Sequence, residues 1–401
     1  MQRACLNRTW PVTILLLLLA TGMVRAENAP VILGLDGEFS LLNSTSAQAI
    51  EQGVRVAIEE INASGGVLDG RPMQLLTKDN RSVPARGLEN LRQFAEVPNL
   101  VAMMGGRYSP VILDQIPLLH QLKLPLLAAW SSADGITDHA HRPSYTFRLS
   151  LRDSYAMPVM LHYARSKGAK RVGLLLPNTG WGRSNVKAAL NYYEKESQPE
   201  IIGPVWYNWG ESDMLRHYRL LLNRGMDALV LVANDIEGAV LIRQLASVER
   251  RELVPIISHW GVTGGQMVQK SGPFLHQLDF SVVQTFSLFN APVKIRDRVM
   301  KLADQLFGIK RMEDVSSPVG FGQAYDLTHI LARAIEIAGS TDRGAIRDAL
   351  EQVKDYHGLT GNYAQPFTTE RHDALAMDQV FIARYREDGV IVPLSSATRK
   401  R

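Results

Sequence analysis

Cysteine is nearly absent: the 401 residues contain one, Cys5, which has no partner for an intrachain disulfide. A chain without such staples must draw its stability from a large apolar core. Long apolar runs are missing as well. The block 12–20 and the later stretch 118–129, broken by His120, Lys123 and Pro125, fall short of the ~20 residues that span a bilayer. Charge of one sign is also lacking, since the formal net charge of +4 drops to +1 when Arg3, Arg8 and Arg25 are set aside. That balance gives no reason to expect a nucleic-acid partner. Catalytic signatures are absent too: there is no HExxH, no GxSxG, no Walker loop and no GxGxxG. Neither an enzymatic activity nor a cofactor or metal is therefore expected. The only close histidine pair, His139 and His141, has no third ligand nearby in sequence and reads as an exposed loop.

What is present starts with an export signal. Residues 1–8 carry Arg3 and Arg8 without an acid, an apolar block follows, and small residues occupy the positions before Ala26. This reads as a signal peptide, 1–26, cleaved after Ala26, and so as a periplasmic protein. Apolar content of 46% with 21% charged residues then suffices for a large core, divided over two domains at this length.

The mature chain alternates short apolar strands with amphipathic helices. Strands are expected at 31–35, 73–77, 101–104, 125–129, 145–149, 171–176, 201–207, 228–232, 254–258 and 280–285. Helices with 3.6-residue apolar spacing fall between them, which predicts βαβ units and parallel sheets covered on both faces. So many units exceed one sheet, and two doubly wound lobes are the economical solution. Three helices at 293–307, 322–338 and 343–353 precede strand-like segments at 380–385 and 390–392.

The stretch 101–137 concentrates candidate binding groups. The strand 101–104 ends at Gly105-Gly106, where the backbone can turn freely, and Ser109-Pro110 then opens a helix with Ser109 as N-cap. Pro117 should kink or break that helix. The strand 125–129 runs into Trp130, Ser131 and Ser132, and strand ends of an open parallel sheet are where small ligands sit. Ser109 either caps its helix or helps to hold an anion at the helix N-terminus. Glu59 and Glu60 read as a solvated edge, and His259, beside Trp260, as hydrogen-bonded structure or a cleft residue.

Several segments carry a family resemblance. ILGLDGEFSLLNS and GVRVAIEEINASGGVLDGRPMQLLTKDN resemble the opening of type I periplasmic binding proteins of the leucine/isoleucine/valine-binding class, which serve ABC importers. GAKRVGLLLPNTGWGRS is similar to the first strand and ligand loop of that family's second lobe. AYDLTHILARAIEIAGSTDRGAIRDALEQVKDYHGLTGNY resembles its C-terminal helices and return strand. The resemblance implies an α/β fold of two Rossmann-like lobes joined by three crossings, with an interlobe cleft. Lobe 1 would take 27–148 and 286–356, lobe 2 would take 149–285 and 357–395, and 396–401 is a basic tail. It implies a small-molecule ligand, an ABC permease at the inner membrane and a monomer that closes by hinge motion. A ligand-sensing receptor of the same fold is the alternative.

The resemblance also assigns the site. Ser109 and Ser132, flanked by Tyr108 and Ser131, match the loops that hold the ligand carboxylate, and Trp130 and Trp181 should line the cleft at strand ends. Where amino-acid binders of the family place an acid for the ligand ammonium, this chain has Trp260. Asp235 is the best substitute, with Asp36 and Glu38 behind it, unless Asp235 merely caps its helix. The expected ligand is thus amino acid-like, a carboxylate or an amide, with an apolar or aromatic body favoured over a plain branched-chain amino acid.

Overall fold

The computed structural model describes residues 29–41 and 44–394. The signal segment, its cleavage point and the tail 396–401 lie outside the described residues. Strands and helices alternate from the start: β1 (Val31–Gly37), α1 (Ser46–Ala63), β2 (Met73–Asp79), α2 (Pro84–Ala95), β3 (Leu100–Gly105), α3 (Ser109–Gln121), β4 (Leu126–Ala128) and β5 (Thr146–Arg148). These five strands form one sheet in the order β2-β1-β3-β4-β5, parallel throughout. Every residue of β3 is buried, as a central strand with helices on both faces requires. Leu100 and Met103 pack outward under α2 and α3 with Leu91, Phe94 and Ile112, while Val101, Ala102 and Met104 join the main core. Leu100 and Met103 are three residues apart because the pairing of β3 with β1 shifts register between Leu100 and Ala102, and from Ala102 to Met104 the faces alternate with the two-residue period of a strand.

Next come α4 (Asp153–Ser166), β6 (Arg171–Pro177), α5 (Gly180–Glu196), β7 (Glu200–Tyr207), α6 (Leu215–Asn223), β8 (Ala228–Leu231), α7 (Asp235–Leu245), β9 (Ile256–Ser258), α8 (Met267–Ser271) and β10 (Phe280–Gln284). The chain continues through α9 (Val293–Phe307), α10 (Pro318–Ala338), α11 (Arg343–Leu350), the small hairpin β11 (Tyr356–His357) and β12 (Asn362–Tyr363), then β13 (Phe381–Tyr385) and β14 (Ile391–Pro393). The second sheet has the order β14-β13-β10-β9-β8-β6-β7. Its five consecutive strands from β10 to β7 are parallel, and β13 and β14 add an antiparallel edge.

Helix α10 packs along α1, so the chain returns to the first sheet after β10 and leaves it again for β13. Together with the step from β5 to α4, that makes three passages between the sheets. Helix α3 does not break at Pro117. Proline there removes one backbone donor, and packing of α3 against α2 and α5 holds the helix through the gap. Among the described residues no helix is long and apolar enough to cross a membrane.

Candidate functional site

The parallel strands of both sheets end facing one cleft. From the first sheet, the turn after β3 brings Arg107, Tyr108 and Ser109, and the turn after β4 brings Trp130 and Ser132. From the second, Trp181 sits in the first turn of α5, Trp209 follows β7, Asn234 follows β8, and Trp260 and Gly261 follow β9. Carboxyl ends of parallel strands place loop side chains at one edge, and two such edges meeting make a shared crevice. The rings are in contact: Trp130 and Trp260 lie 5.9 Å apart at 55°, and Tyr108 meets Trp209 edge-on at 5.1 Å. In this closed arrangement the free volume is about 10 Å³, at the limit of a single water. A larger cavity of about 230 Å³, lined by residues that include Gln284, Phe286, Tyr385 and Asp388, holds none of the residues expected from sequence.

The family profile described as periplasmic binding protein matches residues 30–390. The chain belongs to that family. Among solved structures it is similar to a periplasmic binding protein type 1 from Bordetella pertussis Tohama I. There the TM-score is 0.80 at 22% identity, over 91% of this chain and 100% of that one. The branched-chain amino acid binding protein LivJ of Streptococcus pneumoniae, solved with isoleucine, gives 0.75 at 20%, covering 91% and 100%. A solute-binding protein from R. palustris, solved with benzoate, gives 0.73 at 14%, covering 91% and 96%. Comparison with curated proteins finds no match. The family binds solutes without transforming them, so this is a binding protein and not an enzyme.

In this binding protein six of the eight residues expected from sequence line the cleft: Tyr108, Ser109, Trp130, Ser132, Trp181 and Trp260. Ser131 does not. Its hydroxyl donates to the Gly106 carbonyl at 2.6 Å and ties the two loops together. Ser109 is the first residue of α3 and Tyr108 takes the N-cap position, so the expected capping role is corrected. The Ser109 hydroxyl instead accepts the backbone N–H groups of Ser132 and Ala133, each at 3.2 Å. Glycine at 106 is needed for close approach and not for a turn, because a Cβ there would stand 2.8 Å from Glu38 Oε2.

Asp235 opens α7 without capping it, since Asn234 is the N-cap residue. Its carboxylate takes Lys270 Nζ at 2.6 Å and Arg107 Nη1 at 3.1 Å, the latter across the cleft from the first sheet. Arg107 is not among the residues expected from sequence, and neither are Trp209 and Asn234. The signal for Arg107 was an arginine directly after a glycine pair at a strand end. Its Nη1 also donates to the Gly261 carbonyl at 3.2 Å and its Nη2 to the Tyr108 hydroxyl at 2.9 Å. Burial works to lower its pKa, but Tyr108, Asp235 and Glu38 outweigh it and keep the guanidinium charged. Burial also raises the pKa of Tyr108, whose phenol stays neutral.

Beneath the cleft, Trp181 Nε1 donates to Asp153 Oδ1 at 3.2 Å, and the same oxygen lies 3.1 Å from His259 Nε2. His259 is thus buried structure outside the lining. The fold brings His120 to His139 and His141, yet both His120 nitrogens are engaged, by the Ile116 carbonyl and the Tyr145 N–H. Among the described residues no group of three His, Cys, Asp or Glu side chains is disposed to hold a metal.

Proposed function

We propose that the chain is the solute-binding component of an ABC importer, carrying a small solute with a flat apolar body to a permease at the inner membrane. One observation carries the reading: Tyr108, Trp130, Trp181, Trp209 and Trp260, drawn from both sheets, converge at the strand ends. Indole and phenol faces offer broad apolar contact to a flat ring or amide, and rigid side chains lose little entropy in making it. A branched aliphatic chain uses such a slot less well. Solved structures of this fold hold solutes as different as the benzoate of the R. palustris relative and the isoleucine of LivJ.

In this reading 27–148 and 286–356 form one lobe, 149–285 and 357–395 the other, and a monomer closes over its solute by hinge motion at the three passages. Native mass spectrometry of the protein purified from the periplasm should show a small-molecule adduct of aromatic or amide character. A thermal-shift panel should register the same class, because solute at a hundredfold over its Kd adds about 2.7 kcal/mol to the folded state. A panel in which only leucine, isoleucine and valine stabilise the protein would sink the proposal.

A further inference from the structure

The polar balance of the cleft bears on the charge of its solute, and the inference rests on the binding site proposed above. Among the described residues lining it, the buried side-chain polar atoms without a hydrogen-bond partner are all donors: Arg107 Nε, Trp130 Nε1 and Trp209 Nε1. Unpaired buried donors are costly, and their complement is a group that only accepts, which describes a carboxylate. The acids at hand are committed or misplaced for a solute ammonium. Asp235 is held by Arg107 and Lys270. Glu38 Oε2 and Asp153 Oδ2 lack partners but both residues stand outside the lining, the first against Gly106 and the second beneath Trp181, whose Nε1 its other oxygen receives.

Arg107 and Asp235 belong to opposite sheets, Arg107 after β3 and Asp235 at the head of α7, and each side chain is 2% exposed. Room for one water admits no organic solute, so entry must part the loops and separate this pair. The guanidinium then loses its anion while keeping its place, because the Tyr108 hydroxyl and ring, 4.9 Å from Arg107 Cζ, travel with it. We propose that Arg107 is the specificity-determining residue of the cleft, exchanging Asp235 for the carboxylate of a solute that lacks an ammonium group.

The test uses calorimetry with benzoate and benzamide, which share a shape and differ in charge, and with acetate and acetamide, which make the same comparison without a ring. Circular dichroism checks that Arg107→Gln and Asp235→Asn are folded. Wild type should prefer each carboxylate to its amide at least tenfold. Arg107→Gln should erase that preference, and Asp235→Asn, which frees the guanidinium, should tighten carboxylate binding severalfold. A preference that survives Arg107→Gln, weaker carboxylate binding in Asp235→Asn, or L-phenylalanine binding more tightly than benzoate overturns the exchange. Discrimination of acetate from acetamide without binding of either ring compound supports the exchange and removes the flat-solute reading. Failure of all four probes removes both.

Discussion

Asp36, at the end of β1, shows how burial and hydrogen bonding compete at one carboxyl group. It accepts Asn90 Nδ2 at 2.7 Å and Gln115 Nε2 at 2.9 Å, and both bonds favour the charged form. Burial is the larger effect and pushes its pKa up from 3.8 to about 6. The folded protein therefore keeps this proton to about pH 6, whereas the unfolded chain releases it near 3.8. Between those values the folded state binds more protons, so stability falls as pH rises through the window. The contribution is fully present below the lower value and lost above the upper one. Asp36→Asn lacks this ionisation, and relative to wild type it should gain about 2 kcal/mol of unfolding free energy between pH 4 and pH 7. Urea denaturation of both proteins at the two pH values measures the difference. Parallel pH dependence in the two would show that Asp36 titrates normally.

Between elements the tightest approach is that of α1 and α10. Gly53, inside α1, faces the α10 backbone so closely that a Cβ would lie 2.1 Å from the Phe321 carbonyl oxygen. Helix propensity alone predicts that Gly53→Ala stabilises α1 by about 0.8–1 kcal/mol. The contact predicts the opposite, because a carbonyl held in a helix cannot swing aside and the two helices must separate, at a cost of about 1–3 kcal/mol. Contact should win, and chemical denaturation should find the alanine variant less stable by up to about 2 kcal/mol after the propensity gain. The effect reaches the cleft as well. Gly320 of α10 leaves room for Trp130, whose ring a Cβ at 320 would meet at 2.4 Å. Displacing α10 thus disturbs a cleft wall without touching a cleft residue.

For the molecule as a whole, the polar ties across the cleft are few beside the ladders within each sheet. Thr45 N–H donates to the Gly264 carbonyl at 3.0 Å, Asp134 N–H to the Ser184 hydroxyl at 3.0 Å, the Ser317 hydroxyl to the Thr263 carbonyl at 3.0 Å, and Arg107 to Asp235 and the Gly261 carbonyl. Parting the two sheets breaks these and leaves both strand registers intact, which is what hinge motion between rigid bodies requires. If the free protein rests open in solution, small-angle scattering should show a smaller radius of gyration when a solute that raises the thermal midpoint is added. Raised thermal stability with an unchanged scattering profile would then show that binding does not depend on closure.

The alternation of strand and helix was legible from local pattern, because buried strands and amphipathic helices are encoded by neighbours a few residues apart. Helix α9 was expected at 293–307 and spans Val293–Phe307, and the strands lie within about two residues of expectation at either end. Two sheets followed from the count of βαβ units, and of the six cleft residues those after β3 and β4 followed from strand ends, while Trp181 and Trp260 needed the family resemblance as well. Docking decided the rest. Glu60, read as a solvated edge, receives Arg298 and the Tyr325 hydroxyl from helices that follow it by more than two hundred residues. Ser131 and Ser132 are adjacent and chemically identical, yet one ties two loops together and the other lines the cleft. The pairing of Arg107 with Asp235 spans 128 positions and leaves no periodicity for a sequence to display. Propensity acts along the chain over one or two turns, whereas charge pairing acts through space between surfaces that meet only when both sheets have formed, so the fold was written locally and the polarity of its cleft was not.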